Sequence, residues 1–349
     1  MPTSLIGLGA NLEDREATLT RAVDLLDQHE HLRVRRISRW RETRAVGGPA
    51  GQPPYLNGAV TVETSLAPDA LLDVLHDIEN RLGRRRSQRW ESRAIDLDLL
   101  LFGDCIQHSP DLVLPHPRMA WRRFVLEPAR EIAPNMVHPV LGRTIAQLLD
   151  HLDATPPYVA VTGVLGAANT HFARRLAEFG SIELLLGPAT ARPKPARHDL
   201  DSSGRDLAIG LECVRRRARL LQAAESRPSP SGDYVVSDFW FDASRAWALH
   251  RLSPPARTCF LRTWNRLAVD LVHPRMVIVV DLPTRRAFDR FRPPTASTSR
   301  GLVALTIKQR QRALERQLRR SHDGPVLRVV DPDSPEAINE LTAAMRAME

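Results

Sequence analysis

Two aspartates stand inside an apolar run that has the composition of a core strand. In the segment IDLDLLLF, Asp96 and Asp98 alternate with Ile95, Leu97 and Leu99. Because the side chains of a strand point alternately to its two faces, both carboxylates share one face, about 6.6 to 7 Å apart along the chain. Mg2+ prefers one or two carboxylates together with phosphate oxygens and water. The spacing therefore predicts two ligands for magnesium bound to a polyphosphate.

The arginines ahead of this strand favour a metal site over a solvated sheet face, which antiparallel sheets often have. Residues 84–93 include five of them, namely Arg84, Arg85, Arg86, Arg89 and Arg93. Guanidinium groups beside paired carboxylates suit phosphoryl transfer, since carboxylates hold the metal and arginines stabilise charge on the transferred group. Trp90 adds a flat face for a ring. The segment therefore predicts a phosphoryl-transfer site.

The elements around this strand predict how it is positioned. Residues 4–8 favour a short strand, and a helix with Leu19, Val23 and Leu26 on one stripe follows. Strands are predicted over 31–40 and 55–64, separated by the loop GGPAGQPPY, and Pro68 begins a second helix. The strand over 95–102 completes the order β-α-β-β-α-β. That order predicts a ferredoxin-like α+β domain.

Four separated motifs in this part closely resemble the 6-hydroxymethyl-7,8-dihydropterin pyrophosphokinases of folate biosynthesis. They are GANL at 9–12, YLNGAV at 55–60, GRRRSQRWESRAIDLDLLLF at 83–102 and HPRMAWRRFVLEPAREIAP at 116–134. The resemblance covers residues 3 to about 150, with the motifs in the family's order. It implies Mg-dependent transfer of pyrophosphate from ATP to the hydroxymethyl group of 6-hydroxymethyl-7,8-dihydropterin, which gives AMP and the pterin diphosphate.

The resemblance also implies a role for each motif residue. Asp96 and Asp98 would hold two Mg2+ ions, with ATP as co-substrate. Glu79 would line the nucleotide pocket, and His116 would lie on the ATP side. The arginines implied to contact the phosphates or close over them are Arg84, Arg86, Arg93 and Arg122. The residues implied to form the pterin pocket are Tyr55, Asn57 and Phe124, with Trp90 as its cap.

Two loops depart from the family pattern. Glu91-Ser92 stands where the family usually has Gly-Pro, and residues 43–48 replace the usual T-x-P-x-G. Neither change removes an implied ligand, so we expect activity with altered loop kinetics. No protein base for the pterin hydroxyl is evident, which is acceptable because phosphoryl-type transfer depends mainly on positioning and charge neutralisation.

The region after about residue 150 predicts a separate fold. A linker at 154–157 precedes a strand, a Gly-bearing turn and a helix in VAVTGVLGAANTHFARRL, the usual start of a parallel α/β domain. We therefore predict a pterin pyrophosphokinase domain over 1–153 and a second domain over 158–349. The second region resembles P-loop deoxynucleoside kinases in this turn, in VVSDFWFDASRAWA at 235–248 and in HPRMVIVVDLP.

Three differences predict that this kinase-like domain is degenerate. A P-loop ends in Gly-Lys-Ser/Thr, where the lysine neutralises phosphate, but Asn169 stands in the lysine position before Thr170. Gly187 occupies the place of the implied catalytic glutamate, and no clear acid follows the lid arginines Arg290 and Arg292. We expect a noncatalytic scaffold, a regulator or a surface for a homodimer. A weak kinase, which would make the chain bifunctional, is the alternative.

The positive charge raises an alternative of another class. The 349-residue chain has a net charge of +8 and a pI near 10.3, so a noncatalytic protein associated with nucleic acid is conceivable. A compositional bias towards arginine explains the charge equally well. A helix predicted over 303–320 carries Leu305, Ile307, Leu314 and Leu318, which indicate a packing face. We therefore predict no nucleic-acid partner.

Composition and cysteine usage narrow the remaining classes. No apolar run reaches the length of a membrane span, and the N-terminus lacks the order of a signal peptide. We therefore expect no membrane partner and a cytoplasmic location. Cys105, Cys213 and Cys259 are too few and too scattered for a disulfide framework or a zinc site, and we expect all three to be small buried hydrophobes.

Overall fold

The structure, a computed structural model, forms two compact units. It describes residues 1–47, 51–84, 94–179, 182–188, 202–225, 234–282, 300–321 and 323–349. One unit consists of Met1–Ala154 together with Glu340–Glu349, and the other of Thr155–Asn339. The last ten residues, which the sequence placed in the second domain, thus cluster with the first unit. Within the described ranges, no helix is long and apolar enough to span a membrane.

The first unit is built on an antiparallel sheet. Its strands are β1 (Thr3–Ala10), β2 (Leu32–Ile37), β3 (Arg41–Thr43), β4 (Tyr55–Thr64) and β5 (Asp96–Phe102). The long strands lie in the order β2, β4, β1, β5, and β3 also pairs with β4. The single strand predicted over 31–40 is therefore shorter than expected, and a second short strand begins at Arg41.

Two helices bury one face of this sheet. Helix α1 (Arg15–Asp27) begins where the Asp14 carboxylate accepts a hydrogen bond from the Ala17 N–H, and α2 (Pro68–Arg81) begins at a proline. Leucines of both helices share a core cluster with Leu97 and Leu99 of β5. Both of these leucines are 3% exposed. The predicted alternation along β5 is confirmed, so Asp96 and Asp98 face the other way.

Smaller elements complete the first unit beyond β5. They are the strands β6 (Gln107–His108), β7 (Val113–Leu114), β8 (Val137–His138) and β9 (Arg143–Thr144), a 3-10 helix (Met119–Trp121), α3 (Arg123–Ile132) and α4 (Ile145–Ala154). Helix α3 packs against β4, and α4 packs against α3. This packing brings the motif that begins at His116 beside the sheet.

The second unit contains a parallel sheet, as predicted. Its strands are β10 (Tyr158–Gly163), β11 (Glu183–Leu185), β12 (Val235–Ser237), β13 (Met276–Val280) and β14 (Val326–Val329). They lie in the order β11, β12, β10, β13, β14, and every pair is parallel. The described helices are α5 (Gly166–Ala177), α6 (Ser202–Glu225), α7 (Ala243–Arg251), α8 (Pro254–Ala268), α9 (Arg300–Leu318) and α10 (Pro335–Ala347). Helix α10 continues into the residues that cluster with the first unit.

The expectations for four single side chains were wrong. Leu305 is 52% exposed, because at 100° per residue it lies on the opposite side of α9 from the buried Leu314. Cys259 is exposed, because α8 buries the stripe that contains Phe260 and Trp264 and turns the neighbouring position outwards. Cys105 and Cys213 are partly exposed rather than buried.

Candidate active site

A cavity of about 220 Å3 lies in the first unit, on the sheet face that carries the two aspartates. We call it the sheet cavity. The described residues that line it are Gly7, Leu8, Gly9, Thr43, Arg44, Val46, Gly47, Gln52, Tyr55, Asn57, Gly58, Asp96, Asp98, His116, Arg118, Arg122, Phe124 and Val125. It gathers residues from the strands β1, β3, β4 and β5 and from the motif that begins at His116.

The register of three strands brings the two ends of this cavity together. Gly9 of β1 lies opposite Asn57 of β4 on one side and opposite Asp96 of β5 on the other. Directly opposed residues of antiparallel strands point to the same face. A Cβ atom added at Gly9 would lie 3.1 Å from the Asn57 Oδ1 atom, so the glycine leaves room between the amide and the carboxylate.

The two carboxylates each pair with one arginine. The Asp96 Oδ1 atom lies 3.1 Å from Arg84 Nη2, and the Asp98 Oδ2 atom lies 3.6 Å from Arg122 Nη1. The Asp96 and Asp98 side chains are 30% and 33% exposed, so both remain accessible from the cavity. Among the residues that the structure describes, no group of three or more acidic, histidine or cysteine side chains could hold a metal ion. A pair of carboxylates suits Mg2+ whose remaining ligands are phosphate oxygens of a substrate and water.

Arg122 is the most enclosed cation of the sheet cavity. Its side chain is 14% exposed, and its guanidinium lies 5.5 Å from the ring centres of both Trp121 and Phe124. Burial lowers the pKa of Arg122, while Asp98 opposes that shift. Its buried Nε atom has no hydrogen-bond acceptor among the described residues. An oxygen of a bound phosphate could fill that role.

His116 presents a neutral imidazole to the cavity. The Arg118 backbone N–H donates to His116 Nδ1 at 3.2 Å, which leaves the proton on Nε2. The His116 backbone N–H donates to the Leu100 carbonyl at 2.9 Å and so ties this motif to β5. Desolvation lowers the pKa of His116 to about 3, and the charges of Arg122 and Arg118 add to the shift. His116 can therefore offer a hydrogen bond but not a positive charge.

We expect His116 to stay neutral throughout the physiological pH range. Its folded-state pKa of about 3 lies below the ordinary value of 6.5, so the unfolded chain binds the proton more readily between these values. The stability contributed by neutral His116 is complete above pH 6.5 and is lost as the pH falls towards 3. Two-bond 15N–1H NMR spectra, assigned with a His116→Gln variant, measure the titration. A midpoint near 6.5 would contradict the expectation.

Glu79 lies behind Asp96, on the far side of Arg84, and is not among the described residues that line the sheet cavity. It is 1% exposed, its Oε1 atom accepts the Leu97 backbone N–H at 2.7 Å, and it forms an ion pair with Arg84. Desolvation raises the pKa of Glu79, and the hydrogen bonds from Arg84 and Leu97 oppose that shift. Glu79 therefore anchors β5 and Arg84, and Arg84 in turn contacts Asp96. The sequence had placed Glu79 in the lining of the nucleotide pocket.

Glu79→Ala should lower the free energy of unfolding by about 2–4 kcal/mol, because it leaves the Leu97 N–H and the Arg84 guanidinium without this acceptor. Urea denaturation followed by circular dichroism measures the change. Asp77→Ala is a matched control on the same helix, since the Asp77 side chain is 56% exposed. We expect its effect to stay within about 0.5 kcal/mol. Equal effects of the two substitutions would show that Glu79 is not an anchor.

The opposite end of the cavity offers an amide and two aromatic rings. Asn57 is 7% exposed, and its Nδ2 group donates to Thr43 Oγ1 at 2.7 Å. Tyr55 begins β4 opposite Thr43, and Phe124 lies in the first turn of α3. The fixed amide leaves its Oδ1 acceptor for a ligand. This composition suits a flat, polar heterocycle.

The structure brings most of the predicted site residues together. Those that line the cavity are Tyr55, Asn57, Asp96, Asp98, His116, Arg122 and Phe124. Arg86, Trp90, Arg93 and the dipeptide Glu91-Ser92 lie outside the described residues. The sequence did not identify Thr43, Arg44, Gln52 or Arg118 as lining residues. Arg118 was visible within the motif HPRMAWRRF, whereas Thr43 is recognised only through its register with β4.

In the second unit, Asp238 contacts Thr170 of α5 and Gly187, which follows β11. The Thr170 hydroxyl lies 2.5 Å from Asp238 Oδ2, and the Gly187 N–H donates to Asp238 Oδ1 at 2.6 Å. Asn169, which the sequence placed in the lysine position of a P-loop, is 6% exposed. Asp238 therefore links the start of α5 to the segment that follows β11.

The first part of the chain is similar to a known family of proteins. Residues 5–134 match the family model of 7,8-dihydro-6-hydroxymethylpterin-pyrophosphokinase. The 2-amino-4-hydroxy-6-hydroxymethyldihydropteridine pyrophosphokinase of Synechocystis sp. is 40% identical over 161 residues, which cover 46% of this chain and 82% of that protein. The corresponding enzyme of Bacillus subtilis is 47% identical over 127 residues, 36% of this chain and 75% of that protein.

One solved structure, a deoxyadenosine kinase from M. mycoides, has a weak likeness to the chain. It covers 53% of this chain and 95% of the kinase, with 15% identity and a TM-score of 0.41.

Proposed function

We propose a reaction for the sheet cavity from the premise that this chain belongs to the 7,8-dihydro-6-hydroxymethylpterin-pyrophosphokinase family. The chain is a pyrophosphokinase of folate biosynthesis with ATP as co-substrate. In the proposed reaction the hydroxymethyl oxygen of 6-hydroxymethyl-7,8-dihydropterin bonds to the β-phosphorus of ATP. The bond from that phosphorus to the oxygen bridging the α-phosphate breaks, and AMP leaves with this oxygen.

The strand register around Gly9 is the observation that carries this proposal. It sets Asn57, which suits a heterocycle, and Asp96, which suits a metal ion, on either side of one glycine. Two substrates bound at these ends would meet over β1. Holding two reactants in contact supplies much of the rate enhancement in phosphoryl transfer.

Asp96 and Asp98 are the proposed ligands of two Mg2+ ions. When bound, the ions neutralise the triphosphate and stabilise charge on the transferred group. Arg84 contacts Asp96 and keeps its carboxylate oriented, while Glu79 holds Arg84 from behind. We therefore propose that Glu79 supports the nucleotide site without touching the nucleotide.

Arg122 and His116 are proposed to bind the phosphates from the side of the cavity formed by the motif that begins at His116. We call this side the phosphate wall. The Arg122 guanidinium is held by two aromatic rings beside Asp98, and its Nε atom is available to an acceptor. Neutral His116 donates from Nε2 and adds no competing charge. Arg86 and Arg93 are proposed to close over the phosphates because the family resemblance assigns them there.

Asn57, Tyr55 and Phe124 are proposed to bind the pterin. The Asn57 amide, fixed by Thr43, matches the polar edge of the ring, and Phe124 offers a stacking face. Trp90 is the proposed cap. The proton of the pterin hydroxyl is proposed to leave to solvent, since the described residues offer no obvious base beside it.

Assay of the full chain with ATP, Mg2+ and 6-hydroxymethyl-7,8-dihydropterin tests the reaction. Chromatography of the nucleotides should show AMP in equal amount to the pterin diphosphate. Omission of the pterin should abolish AMP formation. Release of ADP instead of AMP, or AMP without the pterin, would reject the proposed transfer.

The second unit is proposed to be noncatalytic, in a fold of the P-loop kinase type. The occupation of Thr170 and Gly187 by Asp238, and the asparagine in the lysine position, support this proposal. A role as scaffold, regulator or homodimer surface belongs to the same proposal. We also propose that the first unit has a ferredoxin-like fold, which the strand order β2, β4, β1, β5 supports. A cytoplasmic location is proposed as well. Formation of deoxynucleoside monophosphates by the full chain would favour the bifunctional alternative.

A further inference from the structure

The last ten residues of the sequence are anchored to the first unit at two arginines. Glu340 Oε1 lies 2.5 Å from Arg118 Nη2, and Arg123 Nε donates to the Met348 carbonyl at 3.4 Å. Apart from Thr342 and Arg346, the anchored stretch is apolar between these points, with Ala344 and Met348 fully buried. It lies far outside residues 5–134 that match the family model. The family's sequence pattern therefore does not include these contacts.

The two arginines lie on either side of Arg122, which lines the sheet cavity. Arg118 and Arg123 flank the 3-10 helix and Arg122, so the C-terminal stretch holds both ends of the segment that carries Arg122. Arg118 itself lines the cavity, and its backbone N–H fixes the imidazole of His116. A side chain that holds Arg118 thus acts on two groups of the proposed phosphate wall.

The ion pair is enclosed enough to impose an orientation. The Arg118 and Glu340 side chains are 24% and 32% exposed, and contacts between charged groups at this distance are the strongest hydrogen bonds in proteins. Loss of the Glu340 charge weakens the hold on Arg118, but it also makes the surroundings of a bound triphosphate more positive, which favours ATP binding. That effect acts over a longer distance and is screened by solvent and salt. Orientation of Arg118 is therefore expected to dominate.

We propose that Glu340 is a positioning residue of the pyrophosphokinase, which holds Arg118 at the wall of the sheet cavity for ATP binding. The C-terminal stretch Glu340–Glu349 is accordingly part of the enzyme unit. This inference rests on the proposed function of the sheet cavity. Glu340 would thus support the ATP site although it lies more than two hundred positions after the motif at 116–134.

Glu340→Gln in the full chain tests the inference. The KM for ATP should rise about threefold to tenfold, because the neutral amide holds Arg118 less firmly. The kcat and the KM for the pterin should change less than about twofold, since neither the carboxylates nor the pterin end is touched. Glu340→Asp, which keeps the charge, should recover part of the ATP affinity. Glu336→Gln is the matched control, since it removes the same charge from an exposed position of the same helix.

A double-mutant cycle with Arg118→Gln separates positioning from general stability. If Glu340 acts through Arg118, adding Glu340→Gln to Arg118→Gln should raise the KM for ATP no further. Multiplying effects, or an unchanged or lower KM in Glu340→Gln, would overturn the inference. Should Glu340→Gln fail to fold by circular dichroism, the same cycle is measured with Glu340→Asp. Absence of AMP formation by the unaltered chain would instead reject the proposed function itself.

Discussion

Asp98→Asn should lower turnover about a thousandfold, because the amide keeps the shape of the side chain but removes a negative ligand from the proposed metal site. Asp96→Asn should act similarly. The Asp98 side chain is 33% exposed and its contact with Arg122 is 3.6 Å long, so the free energy of unfolding should change by less than about 1 kcal/mol. The rate of AMP formation at saturating ATP and pterin measures turnover, and urea denaturation measures stability.

Asp104→Asn is the matched control for both substitutions. Asp104 is exposed, follows the C-terminal end of β5 and is not among the described residues that line the sheet cavity. Its replacement removes one carboxylate near the same strand and should leave turnover within about twofold. AMP formation by Asp98→Asn at a rate close to that of Asp104→Asn would exclude Asp98 as a ligand needed for catalysis.

Arg122→Ala should lower turnover by about two to three orders of magnitude, because a preorganised cation in an enclosed site stabilises charge on the transferred group. Arg122→Lys should recover only part of the loss, since lysine keeps the charge but lacks the planar fork that stacks on Trp121 and Phe124. Steady-state measurement of kcat for the three proteins tests this order.

Arg130→Ala controls for the removal of an arginine from the same region. Arg130 lies in α3, is 42% exposed and pairs with Asp150 at the surface. We expect its turnover to match that of the unaltered chain. Full activity of Arg122→Lys would show that charge alone suffices, and full activity of Arg122→Ala would remove Arg122 from the proposed phosphate wall.

Local patterns in the sequence were sufficient to predict the positions of the two carboxylates. Alternation along β5 depends only on strand geometry, so Leu97 and Leu99 in the core imply Asp96 and Asp98 on the other face. The motif order identified the remaining residues of the cavity through resemblance. The parallel sheet of the second unit followed from a buried strand, a turn and a helix in succession.

Contacts between distant parts of the chain could not be predicted in this way. The hydrogen bond from Asn57 to Thr43 depends on the register between β3 and β4, which neither strand encodes alone. The sequence pattern around Glu79 predicts only that it lies in a helix. The hydrogen bond from the Leu97 N–H of β5 to its carboxylate is visible only in the folded structure. The pair between Arg118 and Glu340 joins residues 222 positions apart, and no local pattern marks it.

Counting the divalent ions bound at Asp96 and Asp98 is the strictest test of the proposed metal site. Mn2+ can replace Mg2+ as a probe, and electron paramagnetic resonance counts the bound ions in the presence of a non-hydrolysable ATP analogue and the pterin. We expect two ions per unaltered chain and loss of bound Mn2+ when Asp96 and Asp98 are both replaced by asparagine. An unchanged count in that double variant, with the Asp104→Asn control also unchanged, would contradict the proposed site.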